Sequence, residues 1–158
     1  MATRVDLFLD QSCKAFEAEW QRCERLTGKA ERYLAAVGVV VGFGLVSFDT
    51  AMNPDQPAAS YLLLASLGTL SLSFLLALLA LRTRDYWSYP DEEAVVSGVL
   101  ETSIDYEEAQ MKLAKMYFCA RDTNSEINAK RARLLAAAGF LLVTGFVLAV
   151  FNHLATQG

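Results

Sequence analysis

A row of polar side chains lies at helical spacing in the last third of the chain. Tyr117, Arg121, Asn124, Asn128 and Arg131 follow one another at steps of four and three, so a helix would place them on one face. Arginine binds phosphate through paired hydrogen bonds, and asparagine amides suit the polar edge of a base or ribose. Asparagine is also a poor helix former and requires a tertiary reason inside a helix. The pattern therefore predicts either a binding site for an anionic ligand or polar contacts with a neighbouring helix.

Catalytic chemistry is not indicated. The single histidine, His153, has no nucleophile or carboxylate beside it, and no glycine-rich phosphate loop or Cys/His cluster is present. Cys13, Cys23 and Cys119 lack metal-ligand spacing, and we expect them to be free thiols in a reducing compartment. The sequence therefore predicts a protein that is not an enzyme and that holds no metal or cofactor.

The elements that would position the polar row are three apolar blocks and the charged segments between them. The blocks cover residues 33–48, 58–81 and 134–152, and none contains Lys, Arg, Asp or Glu. A charge at mid-bilayer costs roughly 2.5–3.5 kcal/mol on insertion scales, so charge-free blocks of this length predict transmembrane helices. Three buried helices of a soluble bundle would need more polar cover than a chain of 158 residues supplies.

The basic residues predict the orientation of these spans. All 14 Lys and Arg residues lie in 1–32 and 82–133, which the positive-inside rule places in the cytoplasm. The 49–57 loop and the carboxyl terminus would then lie outside. The predicted fold is all-α, a polytopic membrane protein with three transmembrane helices, two of which extend into a cytoplasmic helical bundle.

Two helices are predicted to cross from the cytoplasm into the membrane with one continuous seam each. The 1–32 segment is an amphipathic helix that continues into the first span, and the second such helix runs from about Ser103 to Asn152. The first seam contains Leu9, Cys13, Phe16, Trp20, Cys23, Thr27, Ala30, Leu34, Val37, Val41 and Gly44. The second contains Tyr106, Ala109, Leu113, Met116, Ala120, Thr123, Ile127, Lys130, Leu134, Ala137, Leu141 and Leu148. Steps of three and four keep each seam on one side of its helix.

An acidic stripe lies beside the first seam, where Asp10, Glu17, Glu24 and Glu31 recur every seven residues. It is either a solvated face or the partner of basic residues on the long helix. Gly28 lies within this helix and is a candidate hinge.

Small and hydroxylated residues mark the spans themselves. Gly38 and Gly42 in the first span have the spacing that lets two helix backbones approach closely. In the second span, Ser66, Thr69 and Ser73 form a hydroxylated face that either packs against another helix or lines a water-filled path in an oligomer. Between the second and third spans we expect an interfacial aromatic anchor and a short helix over 94–100.

Two motifs precede the first and last spans. Residues 27–30 (Thr-Gly-Lys-Ala) lead into 33–36 (Tyr-Leu-Ala-Ala), and residues 124–130, from Asn to Lys, lead into Leu134. In these features the chain resembles small bacterial transmembrane effectors of nucleotide-signalled antiphage defence, the Pycsar-type and SLATT-type groups. The chain departs from their pattern in its third span and in lacking a separate sensor domain.

The resemblance implies a homo-oligomer in the bacterial inner membrane that opens a pore or ion channel and stops an infected cell from growing. It also implies a cyclic or linear nucleotide as the cytoplasmic signal. The alternative is a membrane-anchored scaffold that recruits or restrains a soluble enzyme from the same operon. A scaffold would present an exposed apolar patch on residues 91–120.

Overall fold

The computed structural model describes residues 4–46, 57–82 and 105–157, and these form three helices. Helix α1 covers Arg4–Val46, α2 covers Pro57–Arg82 and α3 covers Tyr106–Gln157. The predicted all-α class is confirmed. The predicted outer loop, the aromatic anchor and the short helix over 94–100 lie outside the described residues, apart from Pro57 at the end of the loop.

The start of α3 differs from the prediction. It begins at Tyr106, because Asp105 occupies the capping position: its carbonyl oxygen accepts the Ala109 N–H at 3.0 Å and its carboxylate accepts the Tyr106 N–H at 2.8 Å. Glu107 and Glu108 follow in the first turn, where negative charge complements the helix dipole. At its other end α3 continues past Asn152 to Gln157.

The seam of α1 is as predicted. Phe16, Cys23, Ala30 and Val37 are buried and recur every seventh residue, and α1 continues without interruption through Gly28. Helix α2 buries a comparable series at steps of three and four, namely Leu63, Ser66, Leu70, Ser73, Ala77 and Ala80. Both helices therefore keep one side towards their neighbours.

The predicted seam of α3 is wrong by one residue. Among its members only Ala120 is buried, whereas Tyr106 is 70% exposed. The buried residues are Ala114, Ala120, Asn124, Asn128, Arg131, Leu135, Ala138, Gly145 and Asn152. An apolar row and a polar row run side by side on this helix, one position apart, and the polar row is the one that is buried because the other helices supply its hydrogen-bond partners.

The chain divides into two compact units. Unit 1 comprises Met1–Arg25 and Arg84–Lys130, and unit 2 comprises Leu26–Thr83 and Arg131–Gly158. Helices α1 and α3 contribute to both units, whereas α2 belongs to unit 2.

Two of the helices, α2 over Ser60–Arg82 and α3 up to Leu154, are long and apolar enough to cross a membrane by length and composition. Large apolar side chains on both face away from the core, including Tyr61 and Phe140, each 73% exposed. Helix α1 does not meet the same criteria, since its described charge-free part covers only 33–46 and follows Lys29, Glu31 and Arg32.

Candidate functional site

The polar row of α3 lies against other helices in each unit. Asn124, Asn128 and Arg131 are fully buried, Tyr117 is half-buried, and the Arg121 side chain retains a third of its exposure. Unit 1 contains Tyr117, Arg121, Asn124 and Asn128, whereas unit 2 contains Arg131. Their burial shows that most of these side chains serve contacts within the chain.

In unit 1, Tyr117 packs beside α1. Its ring meets the edge of Phe16 with centroids 5.7 Å apart, and its hydroxyl hydrogen-bonds with Cys13. Burial raises the pKa of the Cys13 thiol, and the carboxylates of Glu17 and Asp10 raise it further, whereas the bond with Tyr117 lowers it. A raised pKa leaves little reactive thiolate at neutral pH, so Cys13 is not poised as a nucleophile.

Asn128 joins the two helices of unit 1 at a second level. Its Nδ2 donates to the carbonyl oxygen of Glu19 at 2.9 Å and to the Glu19 carboxylate at 3.0 Å. Glu19 also forms an ion pair with Arg22 at 3.4 Å. The buried amide therefore contacts an acidic residue of α1, but not one from the predicted acidic stripe.

The acidic stripe of α1 is a solvated face. Asp10, Glu17, Glu24 and Glu31 are all exposed, and Asp10 pairs with Lys14 one turn along the same helix. The alternative, in which this stripe pairs with basic residues on the long helix, is wrong, because Arg121 and Lys130 pair with acids of their own helix, Asp122 and Glu126.

Arg121 differs from the rest of the polar row. Its guanidinium pairs with the neighbouring Asp122, with Nε donating at 3.0 Å, and its Cζ lies 4.3 Å from the centre of the Phe118 ring. Of the five predicted ligand-binding residues it is the charged group that solvent reaches most directly, and an anionic ligand would have to compete with Asp122 for it.

In unit 2, the buried guanidinium of Arg131 connects all three helices. Its Nε donates to the carbonyl oxygen of Ala80 at 2.6 Å, and its Nη2 donates to the Thr27 hydroxyl at 3.0 Å. Ala80 lies in the last turn of α2, where carbonyl groups lack partners within the helix and carry the negative end of its dipole. Arg131 therefore caps α2 and at the same time fixes its register against α1 and α3.

Two serines continue this register along α2. Ser66 donates to the carbonyl oxygen of Gly145 at 2.8 Å, and Ser73 donates to that of Ala138 at 2.7 Å. With the Ala80 bond of Arg131, each seven-residue step forward on α2 matches a seven-residue step back on α3, so the two helices are antiparallel. Thr69 bonds to carbonyl groups of its own helix. Within this unit both serines serve helix packing, the first of the two roles predicted for them.

The close helix approaches occur at glycines that the sequence analysis did not select. A Cβ at Gly145 would lie 2.7 Å from Leu70 Cγ, and one at Gly139 would lie 2.7 Å from the Tyr33 hydroxyl. Gly38 and Gly42 have no described atom within 4 Å of such a Cβ, so they form an open surface in the isolated chain. Their predicted role in packing against another helix stays a prediction.

An exact seven-residue repeat was the signal that could have identified the buried seam. Every seventh residue of α3 from Tyr117 belongs to it, namely Asn124, Arg131, Ala138, Gly145 and Asn152. Polarity concealed this repeat, because Asn and Arg are usually assigned to an exposed face.

The described residues contain no cluster of His, Cys, Asp or Glu that could hold a metal ion. No protein-family model, curated protein or solved structure matches this chain.

Proposed function

We propose that this chain is an oligomeric effector of the bacterial inner membrane that makes the membrane permeable in response to a cytoplasmic signal. The observation that carries the proposal is the course of α1 and α3. Each runs without a break from a segment that exposes charged side chains into one that exposes apolar side chains. A helix that belongs to both kinds of surroundings can transmit a change in one to the other.

The proposed topology has three spans, with the amino terminus in the cytoplasm. One arginine stands at an end of each apolar segment, namely Arg32, Arg82 and Arg133. The described residues of the apolar segments themselves carry no Lys or Arg. This distribution supports the cytoplasmic placement of unit 1 by the positive-inside rule. The first span would begin near Tyr33 and extend past Val46.

The filled interior of unit 2 supports an oligomer as the conducting form. Ser66 and Ser73 are bonded to α3, and Leu70 packs against Gly145. These contacts occupy the seam between α2 and α3, so a conducting path would have to form between copies around a shared axis. Gly38 and Gly42 offer an open small-residue surface on α1 against which a second copy can pack.

The signal would be read by unit 1. A cyclic or linear nucleotide carries phosphate, which Arg121 can bind in place of Asp122. The buried Asn128 amide would become available only if α1 and α3 separated at Glu19. Binding would therefore be coupled to a change in the packing of the same two helices that enter the membrane.

The test is potassium efflux from liposomes that contain the full chain, measured in the presence of a panel of cyclic and linear nucleotides. We expect one class of nucleotide to accelerate efflux. The double variant Gly38→Leu/Gly42→Leu should lose both efflux and oligomerisation while keeping its helical content. Gly68→Leu is the matched control, since Gly68 is also exposed with no described atom within 4 Å of a Cβ. Vesicles that stay sealed with every nucleotide, although the protein is inserted, would contradict the proposal.

The second candidate, a membrane-anchored scaffold, is favoured by exposed aromatic side chains in unit 1. Tyr106 is 70% exposed and Phe118 is 41% exposed, and both lie in the 91–120 segment where a partner surface was expected. The variant Tyr106→Ala separates the two candidates, since Phe118 lies against the Arg121 side chain that is proposed to bind the signal. A scaffold would lose its complex with the enzyme encoded beside it, whereas an effector would keep its efflux.

A further inference from the structure

The charges of the two units are neutralised in different ways. Five ion pairs join described residues of unit 1 to one another. Each joins residues four or fewer positions apart on one helix, as in the pair of Lys130 with Glu126 at 2.9 Å. Unit 1 thus supplies its own counter-charges.

Unit 2 exposes cations without such partners. Lys29, Arg32, Arg82 and Arg133 are exposed, and none forms an ion pair with a carboxylate in the described part of the chain. Glu31 is the one acidic residue among the described residues of this unit. We call the four cations the basic collar.

The helix register directs the three arginines outwards at a similar level. Each lies two residues after a buried residue, Ala30 for Arg32, Ala80 for Arg82 and Arg131 for Arg133. Two residues correspond to about 200° around a helix, so each arginine faces away from the core. Ala30 and Ala80 belong to one apolar cluster, and Arg131 bonds to the Ala80 carbonyl. From these contacts, the collar occupies roughly 10 Å along the helix axes.

An apolar surface begins on one side of the collar. Three apolar side chains are exposed within a few helical turns of the collar: Val39 on α1, Leu78 on α2 and Phe140 on α3. On each helix, the apolar side chain lies further along the chain from unit 1 than the collar arginine does. A ring of cations at the edge of an apolar belt is the position that lipid headgroups would occupy.

We propose that the basic collar binds the phosphate groups of anionic phospholipids and selects them over zwitterionic ones. The proposal rests on the membrane insertion of unit 2 proposed above. Each of the three collar arginines can hold a phosphodiester through two hydrogen bonds, as Arg32, Arg82 and Arg133 all carry a guanidinium. The Nζ of the fourth collar residue, Lys29, lies 5.8 Å from the centre of the Tyr33 ring. A zwitterionic headgroup carries its own cation next to the phosphate. An anionic headgroup has no such cation, so its phosphate can neutralise the collar, and Glu31 is the one acidic residue described in the same unit.

The experiment measures lipid selectivity at the surface of the full chain in phosphatidylcholine bilayers. Trace spin-labelled phosphatidylglycerol or phosphatidylcholine reports the fraction of lipid that the protein restricts in motion. We expect the protein to restrict phosphatidylglycerol more, with each basic residue contributing about fivefold in affinity at low salt. The triple variant Arg32→Gln/Arg82→Gln/Arg133→Gln should lose the preference, and the corresponding Lys variant should retain most of it.

The matched control removes three exposed cations from unit 1, as Lys14→Gln/Lys112→Gln/Lys115→Gln, and should leave the preference unchanged. Equal restriction of both lipids by the wild-type protein would overturn the collar proposal and leave membrane insertion standing. An equal loss in the control would also overturn it. If neither lipid were restricted, the membrane proposal itself would fail. Salt titration of the wild-type protein gives the same decision should the triple variant not fold, because a preference that survives molar salt is not due to the collar.

Discussion

Unit 1 and unit 2 are built from the same two long helices but fill their seams with different chemistry. Unit 1 buries Phe16 beside Tyr117 and pairs its surface charges. Unit 2 buries aliphatic side chains such as Leu70 and Leu135, together with alanines, two serines and one guanidinium, and it exposes large apolar side chains. In water, burial of aromatic area drives packing, whereas in lipid helices associate through small residues and hydrogen bonds. If unit 2 is inserted in the membrane as proposed, one pair of helices is adapted to two solvents, and four comparisons, each with a matched control, test this difference.

The largest effect is expected for the aromatic core of unit 1. Phe16 is fully buried, between Trp20 and Tyr117, so Phe16→Ala should lower the free energy of unfolding by about 4 kcal/mol. Phe8→Ala is the control, because Phe8 is 38% exposed and its truncation leaves no closed cavity. Thermal unfolding followed by circular dichroism measures both. Equal losses would mean that unit 1 is not held by this core.

The next largest effect is expected for a substitution at Arg131, which tests the helix packing of unit 2. Arg131→Ala removes the hydrogen bonds of the guanidinium to Ala80 and Thr27 and leaves the Ala80 carbonyl buried, at an expected cost of about 3 kcal/mol. Arg133→Ala removes the same charge two positions along the helix from an exposed site, and should change stability by less than about 0.5 kcal/mol. Similar unfolding temperatures for the two variants would contradict the role of Arg131 as a clamp between helices.

Glycine substitutions compare the packed and open faces of unit 2. Gly145→Ala places a Cβ within 3 Å of Leu70 and Thr69, and the shift it forces should cost about 2 kcal/mol. Gly68→Ala meets no described atom within 4 Å on the exposed side of α2 and should stabilise α2 by up to about 1 kcal/mol, since alanine is the better helix former. Resistance to denaturing detergent ranks the two variants, and the reverse order would show that α2 and α3 do not approach at Gly145.

The smallest effect belongs to the serine hydrogen bonds. Ser66→Ala and Ser73→Ala should each cost about 0.6 kcal/mol, the average for hydrogen bonds between membrane helices. Ser71→Ala is the control, because Ser71 is exposed on the same helix. The same detergent titration should rank both variants below wild type and leave the control unchanged. A loss of several kcal/mol would instead point to interior packing in water.

The sequence was sufficient to predict the helices, the seam of α1 and the apolar character of α2 and α3. Each depends on local composition and on a single periodicity, which hydropathy reveals directly. The start of α3 at Tyr106 depends on one capping contact of Asp105, which composition alone does not distinguish from its neighbours.

The polar row of α3 was predicted to contact a neighbouring helix only as one of two alternatives, because the same residues also fit a ligand-binding site. Whether Asn128 and Arg131 can be buried depends on acceptors elsewhere in the chain, the Glu19 carboxylate and the Ala80 carbonyl. Those acceptors become visible only when the register of the helices is known. The same holds for Gly145, whose close approach to Leu70 depends on α2 being antiparallel at that register.

The proposed topology places the exposed surface of unit 2 in lipid and that of unit 1 in water. The most direct test is thiol labelling in intact, inverted membrane vesicles with an impermeant maleimide, using the full chain with Cys13 and Cys23 replaced by serine. The native Cys119 supplies an exposed thiol in unit 1. In a second chain that lacks Cys119, the variant Phe140→Cys supplies a thiol in unit 2, at a position that the rest of the chain leaves exposed. We expect Cys119 to react at once and the thiol introduced at Phe140 to react only after detergent dissolves the membrane. Equal labelling of the two thiols in intact vesicles would rule out this topology.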